Sequence, residues 1–303
     1  MSRKIIFLIN PKSGTGGKSS FMDVIAKETT NKGIKFEILH TRADGNYYFL
    51  IQKIRKENIT DVVVCGGDGS INAVASELMG TAVNIGIIPM GSGNGLAFTA
   101  QIPKNINRAL EIIFSGTASF IDGFYINDQF SCMLCGIGFD AKVAHDFAKQ
   151  KRRGLQTYIK VTAINFFSAK PYTFEIISGE KSFSTEAFFI SIANSNQFGN
   201  NFTIAPKASL NDGLLDIVIV KKMNKLVFPF SIISQVTGIN AKRDLTDFPD
   251  KKNIMYFQTP SLTILNKNNA PLHIDGDPKE TAQKFKIKII RNAVRLIQPA
   301  SIK

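Results

Sequence analysis

The sequence lacks several features that mark particular classes of protein. It has no tryptophan and only three cysteines, too few for a disulfide-stabilised fold and consistent with a reducing compartment. Its longest apolar runs, such as residues 5–9, are far shorter than the roughly 18 residues that span a bilayer, and its first residues do not predict a signal peptide. Acidic residues are also fewer than basic ones: the 24 Asp and Glu are outnumbered by 37 Lys and Arg, which gives a net charge of +13. We therefore expect a cytoplasmic protein that attracts polyanions.

Three kinds of polyanion fit this charge: nucleotide phosphates, nucleic acid and anionic membranes. Nucleic acid is not expected as a partner, because no recognised nucleic-acid-binding motif accompanies the charge. The basic run at residues 149–153 precedes an apolar stretch that ends at residues 166–167. This order predicts either a solvated helix end or a peripheral contact with an anionic membrane surface, to which each basic residue can contribute about 1 kcal/mol.

The pattern of apolar residues predicts two domains in the 303 residues. Short apolar runs alternate with amphipathic segments in the first part of the chain, which predicts a three-layer α/β domain with a parallel sheet at residues 1–122. Segments typical of β-strands then dominate, which predicts an antiparallel β-sandwich at residues 123–293 with helical insertions near residues 141–167 and 224–239. Residues 294–303 are expected to return to the first domain.

Two of the cysteines, Cys132 and Cys135, have the spacing of a redox motif or of half a zinc site. They fall in a predicted strand at residues 130–138, where residues three apart point to opposite faces. We therefore expect Cys132 and Cys135 to be buried in apolar surroundings, and not to form a redox pair or bind zinc.

Three glycine-rich loops, at residues 10–19, 66–72 and 89–97, follow predicted strands of the first domain. The first is not a P-loop, because Lys12 stands where that motif requires glycine. A helix begins directly after the second loop, and the N-terminus of a helix favours a phosphate. Asp68 in this loop would repel a polyphosphate unless Mg²⁺ or a transferable proton lay between them; otherwise it is a turn or helix-capping residue. Together the loops predict a nucleotide and a metal at one edge of the sheet.

These segments resemble motifs of the diacylglycerol kinase, sphingosine kinase and ceramide kinase superfamily of lipid kinases, most closely its bacterial soluble members. The matching segments span nearly the whole chain: residues 10–14, 66–72, 89–97, 136–141, 211–216 and 275–277. The resemblance implies a nucleotide-binding α/β domain, a C-terminal β-sandwich and an active site in the cleft between them. It further implies an enzyme that transfers the γ-phosphoryl group of ATP, with Mg²⁺, to a lipid hydroxyl.

The resemblance also assigns roles to particular residues. It implies nucleotide contacts from a set in the first domain: Asn10, Pro11, Lys12, Ser13, Gly14, Thr41, Gly67, Asp68, Gly69, Ser70, Ile71, Asn72 and Ser92. Asp212, with the backbone carbonyls of Ser209 and Leu214, resembles a structural Mg²⁺ site. Asp68 and Asp122 would organise a second, catalytic Mg²⁺, and Asp277 with Asp68 would be the catalytic residues.

Two departures from the family pattern leave alternatives open. Gly95 stands where bacterial diacylglycerol kinases carry aspartate, which favours a long-chain base over a diacylglycerol-like lipid, and Asp277 stands where glutamate is usual. An NAD kinase-like enzyme is an alternative supported by residues 66–69, and a lipid-binding regulator that has lost catalysis is another. His40, His145 and His273 could compete for the role of base but are expected to be structural, and a homodimer is compatible with the sequence.

Overall fold

The computed structural model describes residues 2–10, 18–42, 45–151, 154–197, 205–223 and 254–300. The chain forms two compact units, one made of Met1–Ile121 with Asn292–Lys303 and the other of Asp122–Arg291. The helical insertion predicted at residues 224–239 lies outside the described residues. Within the described ranges, no helix combines the length and the apolar character needed to cross a membrane.

Parallel strands and intervening helices build the first unit. Its elements are β1 (Lys4–Ile9), α1 (Lys18–Asn31), β2 (Lys35–His40), α2 (Tyr48–Glu57), β3 (Asp61–Gly66), α3 (Asp68–Leu78), β4 (Asn84–Pro89), α4 (Gly95–Thr99) and α5 (Ile106–Ser115). The strands lie parallel in the order β4-β3-β1-β2. The end of a later strand, β15 (Lys284–Gln298), pairs parallel to β4 through Arg295 and Leu296. The predicted parallel α/β domain is confirmed.

The burial of these strands explains why they can be recognised in the sequence. All residues of β3 are buried, and in β1 and β4 only the first residue is partly exposed. Parallel strands that are covered on both faces appear in a sequence as continuous apolar runs. Helix α3 buries one stripe of apolar side chains along its length, formed by Ile71, Val74, Ala75 and Leu78. Full burial of a side chain such as Ile71 stabilises a fold by about 1.5–3 kcal/mol.

Antiparallel strands dominate the second unit. Its elements are β5 (Thr117–Ile126, which begins in the first unit), β6 (Gln129–Ser131), β7 (Leu134–Gly138), α6 (Phe139–Ala148), α7 (Leu155–Ser168), β8 (Tyr172–Ser178), β9 (Lys181–Ala193), β10 (Leu215–Lys221), β11 (Ile254–Thr259), β12 (Ser261–Asn266), β13 (Leu272–Ile274), β14 (Asp277–Lys279) and most of β15. They follow the order β14-β13-β7-β9-β8-β12-β15, and β10 pairs with both β9 and β11. The predicted antiparallel β domain is confirmed.

The strand predicted at residues 130–138 is interrupted. Strand β6 ends at Ser131 and β7 begins at Leu134. Between them the carbonyl of Met133 accepts hydrogen bonds from the backbone N–H groups of Asn194 and Ser195, at 2.7 and 3.0 Å. The backbone here bonds to the segment after β9 in place of a strand ladder, which is a long-range arrangement that no local pattern reveals.

The three cysteines are buried and carry free thiols. Burial raises the pKa of the Cys65 thiol and of the Cys135 thiol well above the usual range, so both stay neutral. A neutral thiol is a poor nucleophile and a poor metal ligand. The prediction of buried, apolar cysteines is confirmed.

Candidate functional site

The loop after β3 leads directly into α3. Gly67 caps the helix in an extended conformation, and Asp68 is the first helical residue. The described side chains of Asp68 and Ser70 are partly exposed, as are Gly67, Gly69 and Asn72. Ile71 is fully buried and its N–H donates to the carbonyl of Gly67 at 3.1 Å. The side chain of Ile71 therefore supports the loop from the core, and the nucleotide contact predicted for Ile71 could involve only its backbone.

The loops after β3 and β4 lie directly against each other. A Cβ atom added to Gly91 would be 2.6 Å from the Cα atom of Gly67, and one added to Gly67 would be 3.1 Å from the Cα atom of Gly91. The N–H of Met90 also donates to the carbonyl of Gly66 at 2.9 Å. Glycine is required at both positions, because the backbone of each loop occupies the space that a side chain at Gly67 or Gly91 would need. We call this contact between Gly67 and Gly91 the crossing of the two loops.

Asn94 fixes the turn after β4, a role that the sequence analysis did not assign. It is fully buried and adopts the left-handed conformation with φ 58°. Its Oδ1 accepts from the N–H of Gly91 at 2.8 Å, and its Nδ2 donates to the carbonyl of Gly91 at 2.7 Å. Asparagine tolerates left-handed backbone better than most residues, so its position in a glycine-rich loop was the available signal. Ser92, exposed, lies within the turn that Asn94 closes.

The ends of β1 and β2 add two more predicted residues to this edge of the sheet. The N–H of Asn10 donates to the carbonyl of Cys65 at 3.0 Å, and its Nδ2 donates to Ser70 Oγ at 3.4 Å. The N–H of Thr41 donates to the carbonyl of Ile9 at 2.9 Å. Asn10 and Thr41 therefore lie at the carboxyl edge with the other loops. The remaining predicted contacts, Pro11, Lys12, Ser13 and Gly14, lie outside the described residues.

The arrangement in the first unit suits a chain of phosphates. Carboxyl ends of parallel strands are where open α/β sheets bind ligands, and the N-terminus of α3 carries a partial positive charge there. Asp68 lies in the first turn of α3, where the helix dipole stabilises its carboxylate. A carboxylate beside phosphates repels them unless a cation lies between, so Asp68 has the donor chemistry for a hard divalent ion such as Mg²⁺.

In the second unit, Asp122 is buried in β5 and holds the turn at residues 210–213. Its Oδ2 accepts from the N–H of Gly213 at 2.7 Å, and its own N–H donates to the carbonyl of Leu210 at 2.6 Å. Its carbonyl accepts from Asn194 Nδ2 at 2.9 Å. These bonds place Asp122 beside the turn that carries Asp212.

The turn with the predicted structural metal site is exposed at its acidic residue. Asp212 Oδ1 accepts from the N–H of Leu214 at 3.0 Å, and Ser209 Oγ donates to Asn211 Oδ1 at 3.1 Å. The described residues contain no group of three or more His, Cys, Asp or Glu that could hold a metal. One carboxylate with the carbonyls of Ser209 and Leu214 is an all-oxygen set that water would complete, which suits Mg²⁺.

Asp216, two residues beyond this turn, is fully buried. Its Oδ1 accepts hydrogen bonds from the Tyr256 hydroxyl and from Gln258 Nε2, the latter at 3.2 Å. Burial, with a smaller effect of the nearby Asp212 charge, raises the pKa of Asp216 to about 7. Asp216 thus joins β10 to β11 through side chains on the adjacent strand.

Asp277, the predicted base, begins β14 in a tight hairpin with β13. The two residues of the turn, Asp275 and Gly276, have φ 54° and 80°, as a type I′ turn requires. Asp275 Oδ1 accepts from Ser131 Oγ at 2.7 Å and from the N–H of Leu134 at 3.2 Å. Asp277 itself is exposed. A fixed turn therefore presents its carboxylate to solvent, where a substrate can reach it.

The chain is similar in sequence to known proteins over most of its length. A model described as the diacylglycerol kinase catalytic domain matches residues 4–126, and one described as the YegS C-terminal NAD kinase beta sandwich-like domain matches residues 134–298. A Citrobacter koseri protein named "Probable lipid kinase YegS-like" is 27% identical over 277 residues, 89% of this chain and 88% of its own. A Shewanella frigidimarina protein of the same name is 25% identical over 293 residues, 90% and 91% of the two chains.

A solved structure supports the same fold. A Bacillus anthracis structure described as a diacylglycerol kinase superposes with a TM-score of 0.74 over 99% of this chain and 98% of that chain, at 19% identity. The two family models together cover most of the sequence, in the order of the two structural units. The chain therefore belongs to the diacylglycerol kinase catalytic-domain family, in the form that carries a YegS-type C-terminal sandwich.

Proposed function

We propose that the protein is an ATP- and Mg²⁺-dependent lipid kinase that phosphorylates the hydroxyl group of a long-chain base or a diacylglycerol-like lipid. The observation that carries the proposal is the meeting of the loops at the carboxyl edge of the parallel sheet, where Gly67 and Gly91 touch beside the N-terminus of α3. Membership in a kinase family supports the use of ATP. The exposed Asp277 supplies a base for an alcohol.

The reaction needs few groups from the protein, because phosphoryl transfer depends mainly on positioning and on neutralising charge. Asp277 accepts the proton of the lipid hydroxyl while the hydroxyl oxygen attacks the γ-phosphorus of ATP. The bond between the γ-phosphorus and the β,γ-bridging oxygen breaks, which releases ADP. Asn10, Gly67 and Ser70 hold the nucleotide through N–H and hydroxyl donors. When bound, Mg²⁺ would neutralise charge on the phosphates.

Two sets of oxygen donors would hold metal ions in this proposal. Asp68 would bind the catalytic Mg²⁺, and the part that the family resemblance gives to Asp122 in this site stays a prediction. Asp212, with the carbonyls of Ser209 and Leu214, would bind the structural one. The exposure of Asp212 and the all-oxygen character of both sets support these assignments.

Gly95 favours a long-chain base as the substrate. It is the first residue of α4 and is buried, so this position accepts a small residue and offers no carboxylate to a lipid headgroup. Sphingosine-type kinases also carry a small residue here, whereas bacterial diacylglycerol kinases carry aspartate.

An assay with [γ-³²P]ATP tests the proposal and its alternatives together. The protein is incubated in parallel with sphingosine, diacylglycerol and NAD, and the labelled products are separated by chromatography. We expect label in the sphingoid base. Label in diacylglycerol alone would reverse the choice of substrate, label in NAD would favour the NAD kinase-like alternative, and no label in any product would favour the regulator.

We further propose that the protein reaches its lipid at an anionic membrane surface, as a peripheral, cytoplasmic enzyme. Helix α7 exposes apolar side chains, with Ile159 54% and Ile164 60% exposed. Lys149, Lys151 and Lys160 are exposed close to them in sequence. Arg152 and Arg153 of the basic run lie outside the described residues. Exposed apolar residues flanked by lysines fit an anionic bilayer better than solvent.

Binding to vesicles is therefore expected to weaken as salt rises. The screening length falls from about 10 Å at 0.1 M to about 3 Å at 1 M salt, so attachment to phosphatidylserine-containing vesicles in a sedimentation assay should fall sharply. Replacing Lys149 and Lys151 by glutamine should weaken it further at low salt, whereas the same change at Lys32 and Lys35, exposed in the first unit, should not. Binding that does not respond to salt would contradict an electrostatic attachment.

A further inference from the structure

Two histidine contacts join helix α6 to the hairpin that carries Asp277. His145 Nε2 donates to the carbonyl of Leu272 at 2.8 Å, since a carbonyl can only accept. His273 Nε2 lies 3.3 Å from Asp140 Oδ2. His273 is 3% exposed and Asp140 8%, so their contact is shielded from water. Asp140 belongs to the Gly136–Ala141 motif, to which the proposed reaction assigns no role.

The other nitrogen of His273 holds the turn itself. The N–H of Gly276 lies 3.2 Å from His273 Nδ1, and a backbone N–H can only donate. Nδ1 is therefore the acceptor, and a neutral imidazole must carry its proton on Nε2, from which it donates to Asp140. A chain of hydrogen bonds thus runs from Asp140 through His273 to Gly276, the residue directly before Asp277.

Gly136 provides the space for this chain. It lies opposite His273 in the pairing of β7 with β13. A Cβ atom added to Gly136 would overlap both Asp140 Oδ2 and His273 Nε2. The sheet therefore contains a built recess for the imidazole and the carboxylate, which a chance contact between two polar side chains would not need.

We propose that His273, oriented by Asp140, is a positioning residue that fixes the Asp275-Gly276 turn and so sets the direction of the Asp277 carboxylate. The inference rests on the proposed function, in which Asp277 is the base. Gly276 has φ 80° and no side chain to anchor it, so the bond to His273 fixes its peptide plane. A displacement of about 1 Å at a catalytic group can lower a rate about 100-fold.

Two amide variants separate the bonds of His273. In His273→Asn, Oδ1 takes the place of Nδ1 and keeps an acceptor for the Gly276 N–H. In His273→Gln, the amide reaches towards Asp140 but leaves Gly276 without its acceptor. We expect His273→Gln to lower kcat at least about 10-fold with KM for ATP within about two-fold, and His273→Asn to recover most of that loss.

His145→Leu is the matched control. It removes the other bond between α6 and β13 without touching the turn, so it should lower the melting temperature and leave kcat within about two-fold. Equal losses of kcat in His145→Leu and His273→Gln would mean that general loosening of the hairpin, and not positioning by His273, controls the rate.

Spectroscopy tests the inference without relying on activity. The chain has three histidines, so ¹⁵N spectra with single-histidine variants can assign the His273 tautomer, which should have its proton on Nε2. Amide hydrogen exchange at Gly276 should be slow in the wild type, faster in His273→Gln and slow again in His273→Asn. A proton on Nδ1, or unchanged exchange at Gly276, would overturn the inference.

The same variants keep the inference distinct from the proposed function. If Asp277→Asn is inactive and His273→Gln has normal kcat, the positioning role is wrong and the base stands. If Asp277→Asn has normal kcat, the base is wrong, and His273 no longer has a catalytic group to position.

Discussion

Asp277→Asn is expected to lower turnover about 10²- to 10⁴-fold while leaving nucleotide affinity nearly unchanged. Asparagine has almost the same shape as aspartate but cannot accept the proton of a lipid hydroxyl. Asp277 belongs to the second unit and is exposed, whereas the residues proposed to bind the nucleotide belong to the first unit. Steady-state kinetics with lipid and ATP varied separately measures both parts of the expectation.

Asp68→Asn provides the contrast. Asp68 lies in the first turn of α3 beside the glycine-rich loops and is the proposed ligand of Mg²⁺, so its loss should change the Mg²⁺ dependence as well as the rate. A Mg²⁺ titration of both variants separates a base from a metal ligand, since Asp277→Asn should keep the wild-type midpoint. Near-normal turnover of Asp277→Asn would remove Asp277 from the mechanism.

The short side chain of Asp277 makes its surroundings decisive. Aspartate reaches about 1.5 Å less far than the glutamate that the family usually carries, because it has one carbon–carbon bond fewer. The backbone must recover this reach. The structure shows how the turn is held, because Asp275 binds Ser131 and Leu134 while Gly276 binds His273. Pro278 follows Asp277 and pairs with His273 across the hairpin, which keeps the base in extended backbone.

The first unit could be predicted closely from the sequence because its signals are local. The apolar run at residues 84–89 predicts a strand with the bounds that β4 has, and the spacing of Ile71, Val74, Ala75 and Leu78 predicts the buried stripe of α3. Both follow from continuous apolar runs or from helical spacing. Helix α5 and strand β5, at residues 106–126, were not predicted. The buried residues Ala109, Leu110 and Ile113 lie on one face of α5, so its helical spacing was overlooked, whereas β5 has no regular alternation of exposed and buried residues.

Contacts between distant segments could not be predicted from local patterns. Strand β14 has three residues, one of them proline, and exists because β13 pairs with it across a two-residue turn. The pairing of β9 with β7 and with β10 depends on segments far apart in the chain. The contact of His273 with Asp140 was missed for the same reason, because the two residues are far apart in the chain. Asn94 is different, because its partner Gly91 is only three residues away.

Substitution at the crossing of the two glycine-rich loops, where Gly67 meets Gly91, is expected to have the largest effect on nucleotide binding. Gly91→Ala would place a methyl group 2.6 Å from the Cα atom of Gly67 and 2.9 Å from Asn94 Oδ1, and neither partner can move without distorting its loop. Overpacking of this kind costs about 1–3 kcal/mol. If this cost falls on the loop conformation that binds ATP, we expect ATP affinity, measured by calorimetry, to fall about 5- to 150-fold, since each 1.4 kcal/mol of lost binding is about a factor of ten.

Two further glycine variants show whether the crossing itself is responsible for that loss. Gly67→Ala meets the other loop at 3.1 Å, so a shift of a few tenths of an ångström relieves it and the loss of affinity should be smaller. Gly80→Ala has open space around it but φ 71°, so it should lower stability through backbone strain and leave ATP affinity unchanged. If Gly91→Ala lost stability without losing affinity, as Gly80→Ala should, the crossing would be a structural contact and the phosphates would bind elsewhere on the sheet edge.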